Sequence, residues 1–144
     1  MPSEEKIVVK TKIRPKRENA DQLTDWFCKV FDLATREDQP EPELLKDIIS
    51  GSIQGEGVTS LELTDKYDMP RSTVIYHLNR FIATGIVIRK GRKYVLRAED
   101  MEQTIVELRS DMMMEFNKMM EFAEKLDQFV EREADVRRKG KPKR

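Results

Sequence analysis

Apolar residues recur at helical spacing in the first third of the chain. Between residues 20 and 35 they lie three, four, seven and eight positions apart, a spacing typical of the buried face of a helix: Leu23, Trp26, Phe27, Val30, Phe31 and Ala34. The polar stretch 36–42, with two prolines, then predicts a connector. The apolar stripe of 43–53 predicts a second helix.

The middle of the chain predicts two further helices. Thr59 and Glu62 have the spacing of a capping box, which marks a helix start. Pro70 favours a second start, because proline suits the beginning of a helix, and Gly85 is placed to end that helix. The residues of these two helices that we expect to be buried are Leu61, Leu63, Tyr67, Val74, Leu78 and Phe81.

Strand-like patterns occur at two places. Two β-prone runs, 86–90 and 93–97, flank a glycine turn at Gly91 and predict a hairpin. The N-terminal arm, 1–17, contains a partial alternation of apolar and polar residues that Pro15 would end. The sequence of the arm is compatible both with a short strand and with a disordered charged tail.

One continuous helical pattern extends from about Asp100 to Glu133. Its apolar positions approximate heptads, with one irregular step between Met112 and Phe116. A helix of roughly 50 Å cannot bury its stripe against a domain of this size, so we expect a homodimer in which a second copy covers it and the helix of 20–35 packs on it. The predicted dimer interface, a coiled coil with the first helix against it, consists of Trp26, Phe27, Ile105, Leu108, Met112, Phe116, Met119, Leu126 and Val130.

Charge changes this picture because it is arranged in blocks. The 144 residues include 27 basic and 27 acidic side chains, which gives a net charge of zero. By segment, however, the net charge is +4 in 1–17, −7 in 18–56, +5 in 57–97, −8 in 98–136 and +6 in 137–144. A polyanion would therefore meet the basic blocks locally, whatever the total charge.

Several classes of protein are disfavoured by the composition. The chain has no apolar run of the length that spans a membrane, and its first residues lack the features of a signal peptide. Cys28 is its single cysteine, so an intramolecular disulfide is excluded. These observations predict a cytoplasmic protein without a membrane partner.

Four short segments have the spacing of a winged helix-turn-helix: Thr59-Ser-Leu-Glu-Leu, Met69-Pro-Arg-Ser-Thr-Val-Ile-Tyr-His-Leu, Phe81-Ile-Ala-Thr-Gly-Ile-Val and Arg89-Lys-Gly-Arg-Lys-Tyr-Val-Leu. In these segments the chain resembles the ArsR-like group of prokaryotic transcription regulators, archaeal ones included. The resemblance implies a mainly α-helical fold with a small β-hairpin wing, which binds duplex DNA.

In such a fold the second helix of the motif would enter the major groove and read base edges. Arg71 is the best candidate base reader, because a guanidinium can form two hydrogen bonds with guanine. Arg80 lies farther along and would meet a phosphate, and the basic hairpin would contact the backbone or the minor groove. The predicted DNA-binding residues are Arg71, Ser72, Thr73, Ile75, Tyr76, Asn79, Arg80, Arg89, Lys90, Arg92 and Lys93.

Metal and catalytic chemistry find little support. Cys28 and His77 are the only residues of their types, too few for the metal sites common in ArsR-like proteins, so we expect both to be buried in the core. A redox switch at Cys28 is a minor alternative. The methionines of 112–120 suit gap-filling core better than Cu(I) binding, although a pocket for an apolar effector stays open. The sequence predicts no metal, no cofactor and no enzyme, and it identifies no effector.

Together these patterns predict five segments: a basic arm (1–17), a dimer-associated helix (18–35), a winged-helix DNA-binding domain (41–97), a long dimerisation helix (98–136) and a basic disordered tail (137–144). The predicted function is transcription regulation by a homodimer on duplex DNA. Two alternatives stay open: a winged-helix protein–protein scaffold, and an architectural DNA binder with little sequence preference.

Overall fold

Helices dominate residues 14–34 and 39–140, the part of the chain that the computed structural model describes. The elements are α1 (Ala20–Val30), α2 (Glu41–Ile53), β1 (Val58–Thr59), α3 (Ser60–Tyr67), α4 (Arg71–Thr84), β2 (Val87–Lys90), β3 (Lys93–Leu96) and α5 (Met101–Gly140). The possible strand in the N-terminal arm, residues 35–38 of the predicted first helix and connector, and residues 141–144 of the predicted tail lie outside the described residues. The fold is mainly helical, with a small antiparallel sheet and a long C-terminal helix.

The first helix ends five residues earlier than its apolar pattern predicts. Asp32 adopts a left-handed conformation, with φ of 58°, which stops the helical backbone after Val30. The N–H groups of Leu33 and Ala34 both donate to the carbonyl of Cys28, at 2.7 and 3.4 Å. Leu33 and Ala34 are nevertheless buried, so the apolar pattern continues through a turn that packs into the core.

Within the chain, the main neighbour of α1 is α2. The two helices pack together, and Lys46 Nζ lies 2.6 Å from Asp21 Oδ1 across them. The starts of α1 and α3 are capped as their sequences favour, since Asn19 accepts from the N–H of Gln22 and Thr59 accepts from that of Glu62. Inside one chain α1 thus packs on α2, and its expected packing on the long helix in the dimer stays a prediction.

A tight turn joins α3 to α4. Asp68 has a positive φ of 51°, and α4 begins just after Pro70, as predicted. The hydroxyl of Tyr67 donates to Asp47 Oδ2 at 2.6 Å, which ties α3 to α2. Leu63 is buried as expected, but Leu61 is 66% exposed, because it lies on the solvent side of the short helix.

The buried side of α4 is the predicted one. Val74, Leu78 and Phe81 are fully buried, and Gly85 ends the helix with φ of 88°. Leu44, Leu45 and Ile48 of α2 are buried as well. The serine hydroxyl of Ser52 accepts the N–H of Leu96 at 2.7 Å, so α2 is also bonded to the sheet.

The sheet contains one strand that the sequence did not predict. Its order is β1-β3-β2, with all neighbours antiparallel. The hairpin β2–β3 is confirmed, and Gly91 has φ of 62° at the first central position of its two-residue turn, where a type II′ turn needs glycine. The extra strand, β1, has two residues, too short to show a pattern of its own, and pairs Val58 with Tyr94.

The long helix is confirmed and is longer than predicted. Asp100 accepts the N–H of Gln103 at 2.8 Å near its start, and the helix continues to Gly140. The predicted tail boundary at 137 is therefore wrong, because Arg137, Arg138 and Lys139 form the last helical turn, where basic side chains suit the helix dipole. The chain divides into two compact units, one ending at Ile105 and the other beginning at Val106.

Candidate nucleic-acid interface

The N-terminus of α4 presents an exposed arginine and uncapped backbone groups. Arg71 is the first helical residue and is exposed, as is Ser72. No side chain caps this end, and its first turn contains no acidic residue. The N–H groups at such a helix start can donate to an anion, since the positive end of the helix dipole favours negative charge there.

The outer face of α4 carries further polar groups. Tyr76 is 59% exposed and Asn79 is exposed, whereas Thr73 and Ile75 are half-buried. The Tyr76 ring stands edge-on to the ring of His77, with centroids 5.3 Å apart. The predicted contact residues of α4 other than Arg80 therefore reach solvent at least in part.

The hairpin β2–β3 follows α4 directly and places its basic residues near one tip. Arg89 lies opposite Tyr94, and Lys90 opposite Lys93. Arg89 Nε donates to the Gly91 carbonyl at 2.8 Å, and its guanidinium carbon lies 5.7 Å from the Tyr94 ring centroid. These contacts hold the Arg89 side chain against the hairpin while leaving it exposed.

The other basic residues of the hairpin differ in whether they form ion pairs within the fold. Lys93 Nζ is 3.8 Å from Glu62 Oε1, a loose pair between partly exposed groups. Lys90 and Arg92 are exposed, and neither forms an ion pair with any residue in 14–34 or 39–140. Arg71 is likewise unpaired within these ranges, so three cations are available to an external anion.

Arg80 does not belong with these residues. Its Nη1 lies 3.1 Å from Glu41 Oε2, and its Nη2 donates to the carbonyl of Asp32 at 2.9 Å. The side chain is only 31% exposed. Within the fold Arg80 thus joins α4 to the start of α2 and to the turn after α1, and its predicted phosphate contact stays untested.

Glu41 is the residue at this junction that the sequence did not reveal. Its side chain is 1% exposed, and Oε2 lies 2.7 Å from His77 Nδ1 as well as near Arg80. The His77 contact has the distance of an ion pair but not the angle of a hydrogen bond, and Oε1 has no hydrogen-bond partner within the described residues. The one available signal was that His77 and Arg80 share a face of α4; their partner is more than thirty residues away in sequence.

The predicted core positions of His77 and Cys28 are confirmed. His77 is 8% exposed and Cys28 is fully buried. Burial raises the pKa of the Cys28 thiol to about 12, and the Asp25 carboxylate adds to this rise. Since the thiolate is the reactive form, this environment disfavours redox chemistry at Cys28.

We expect Cys28 to react with an aromatic disulfide reagent at pH 8 at least about a hundredfold more slowly in the folded protein than in denaturant. The reason is its burial together with the raised pKa of its thiol. Stopped-flow absorbance would measure both rates, with a Cys28→Ala variant as the blank. A fast reaction of the folded protein would restore the redox-switch alternative.

The predicted dimer-interface residues fall into two groups. In the first unit, Trp26, Phe27 and Ile105 are half-buried. In the second, Leu108 and Met112 are half-buried, and the exposed members are Phe116, Met119, Leu126 and Val130. The stripe of α5 is thus largely uncovered in the single chain.

Other kinds of site receive no support. Within residues 14–34 and 39–140, no three His, Cys, Asp or Glu side chains are grouped so that they could hold a metal ion. No helix in the same ranges is long and apolar enough to cross a membrane. Comparison of the chain with known protein families, with curated proteins and with solved structures gives no significant match.

Proposed function

We propose that this protein is a transcription regulator that binds duplex DNA as a homodimer through a winged helix-turn-helix of the ArsR-like type. In this proposal α3 and α4 are the helix-turn-helix, α4 is the recognition helix and β2–β3 is the wing. The observation that carries the proposal is the exposed cations at the start of α4 and at the tip of the hairpin that follows it, which have no ion-pair partner within residues 14–34 and 39–140. The uncapped N–H groups of α4 add donors for a phosphate oxygen.

The proposed contacts differ in what they recognise. Arg71 reads a base, with Ser72, Tyr76 and Asn79 beside it on the accessible part of α4. Lys90 and Arg92 of the wing neutralise phosphates, which positions the domain without reading sequence. Arg80 is no longer among the contacts.

The homodimer supplies two such domains. The exposed stripe of α5 would pair with the same stripe of a second chain, and the two recognition helices would then read half-sites about one DNA turn, roughly 34 Å, apart. Selection of bound sequences from a random DNA pool should therefore enrich a pseudo-palindrome. A pool that binds without enrichment would favour the architectural alternative, and a chain that binds no DNA would favour the protein–protein scaffold.

On the selected site, we expect affinity to fall steeply with salt, because phosphate neutralisation releases counterions. Arg92→Ala should weaken binding to all sequences alike and reduce the slope of log K against log salt by about 1. Arg71→Ala should reduce discrimination between the site and a mutated site by about 1–3 kcal/mol. Fluorescence anisotropy with both DNAs over a salt series measures all three quantities.

Arg109→Ala serves as the matched control, because Arg109 is an exposed arginine outside the proposed interface. It should leave affinity, discrimination and salt slope unchanged. A flat salt response of the unmodified protein, or unchanged binding in both Arg71→Ala and Arg92→Ala, would refute the proposed interface.

A further inference from the structure

The apolar surface of α5 is wider than a two-helix seam. Residues seven apart share a column on a helix, and between 112 and 136 four adjacent columns are mainly apolar. We call this set the apolar face. Its two central columns are Met112, Met119 and Leu126, and Phe116, Ala123 and Val130. Its two outer columns, one on each flank, are Phe122, Phe129 and Val136, and Met113 and Met120. A two-stranded coiled coil buries only the central two columns.

The outer columns are as exposed as the central ones. Phe122 is 59% and Phe129 54% exposed, compared with 56% for Met119 and 61% for Leu126. Met120, on the opposite flank, is 65% exposed. One partner helix would cover the central columns and leave two phenylalanines, one valine and two methionines in water, so the face needs two neighbouring helices.

The two edges of the apolar face carry opposite charge. The basic edge is one column with a cation at every seventh residue: Lys118, Lys125, Arg132 and Lys139. The acidic edge, on the other side, is the column of Glu124 and Glu131, and Asp127 lies next to it in the column of Met113 and Met120. The basic side chains lie beside the outer aromatic column, since Lys125 Nζ is 5.7 Å from the Phe122 ring centroid and the Arg132 guanidinium 5.6 Å from that of Phe129.

This arrangement of charge selects both the partner and its direction. When two copies of such a helix run parallel, the basic edge of one faces the acidic edge of the other. When they run antiparallel, each edge faces its own copy, and the basic column is opposed by like charge. Lys118 and Lys125 also pair within the helix with Glu115 and Glu121, but they stay more than half exposed and can reach a neighbouring chain.

From the width of the face and its complementary edges, we propose that the α5 helices of four chains associate as a parallel bundle. The count of four rests on the proposed homodimer, two of which would join. The parallel direction and the need for more than one neighbour rest on α5 alone. In the bundle the central columns fill the core, the outer columns close it, and unlike edges meet between neighbouring helices.

Sedimentation equilibrium of the full chain without DNA tests the stoichiometry. We expect a tetramer for the unmodified protein and a dimer for Phe122→Ser/Phe129→Ser, which removes both aromatic side chains of one outer column. Met119→Ser should weaken association at least about tenfold, whereas Met114→Ser should not. Met114 is the matched control, because it is as exposed as Met119, at 61% and 56%, but lies off the apolar face.

Circular dichroism of each variant shows whether its helices still form. An unmodified protein that stays dimeric or monomeric at all concentrations would overturn the proposal. So would a Met114→Ser variant that dissociates as much as Met119→Ser. These measurements contain no DNA, so failure of the bundle and failure of DNA binding are recorded separately.

Cross-linking tests the direction in a Cys28→Ala background. Met112→Cys and Val130→Cys are about 27 Å apart along α5, farther than a disulfide can reach. In a parallel bundle both single-cysteine variants should link to their own copies under mild oxidation. In an antiparallel bundle a residue meets its own copy only at the midpoint of the helix pair, and at most one of the two positions can lie there. Linking of only one variant would therefore overturn the proposal. Gln128→Cys, on the opposite face, should not link.

Charge reversal tests the edges. Lys125→Glu/Arg132→Glu and Glu124→Lys/Glu131→Lys should each weaken association, and an equimolar mixture should recover it, because unlike edges then meet again between chains. Repulsion created inside one helix, such as between Glu121 and the new glutamate at 125, would persist in the mixture. Absence of recovery would show that the edges do not face each other.

Discussion

Replacing Arg80 by methionine is expected to lower the free energy of unfolding by about 3–5 kcal/mol. Methionine keeps most of the side-chain volume but removes the cation beside Glu41. The carboxylate, which is 1% exposed, would then be held in the core with His77 as its remaining ion-pair partner within residues 14–34 and 39–140. Buried charge without a full partner is among the most destabilising changes that one substitution can make. Urea denaturation followed by circular dichroism would measure the loss.

Replacing the other partner of this ion pair, Glu41, should lower the free energy of unfolding by less. Glu41→Gln removes the buried charge and leaves the cation on Arg80, which is 31% exposed and can turn toward water. We expect a loss of about 1–3 kcal/mol, smaller than that of Arg80→Met. Equal losses, or a larger one for Glu41→Gln, would mean that the arginine and not the carboxylate carries the desolvation penalty.

The Arg80→Met variant also distinguishes an arginine with a structural role from one that contacts DNA. Arg92→Ala should change the salt slope of DNA binding and leave stability within about 0.5 kcal/mol, as is usual for an exposed residue. Arg80→Met, assayed where it is folded, should leave the salt slope unchanged. A reduced slope would return Arg80 to the proposed phosphate contacts.

Gly57→Ala is expected to lower the free energy of unfolding by about 3 kcal/mol, through strain and overpacking together. Gly57 has a positive φ of 77°, and a Cβ added to it would overlap Val95 Cγ1 and lie 2.9 Å from the Tyr94 carbonyl oxygen. Val95 and Tyr94 belong to β3, with which β1 pairs. The added methyl group would therefore push β1 away from the sheet.

Gly55→Ala is the matched control. Gly55 also has a positive φ, of 97°, but a Cβ there would meet nothing within 4 Å. It should cost about 1 kcal/mol, the conformational part alone. Thermal and urea denaturation of the two variants would give the difference, which measures the contact between Gly57 and β3. Equal losses in the free energy of unfolding for the two variants would show that β3 accommodates the added methyl group at residue 57 without strain.

Local signals in the sequence were enough for several elements. Thr59, Pro70 and Gly85 mark helix ends through interactions with residues three or four positions away, so α3 begins, and α4 begins and ends, where predicted. Gly91 did the same for the hairpin turn. The candidate interface is built mainly from these two elements, and most of its exposed cations could accordingly be predicted from the sequence.

Contacts between distant segments decided the rest. Arg80 has the sequence position of a phosphate contact, and only the approach of Glu41 and the Asp32 carbonyl engages its half-buried guanidinium within the fold. The two residues of β1 acquire strand structure from β3 and have no pattern of their own. The sequence by itself therefore determined the local elements, the charge blocks and the stripe of α5, because each depends on neighbours within a few positions. The tertiary structure decided which charges are free to bind, because pairing across the fold depends on residues that the chain brings together only when it packs.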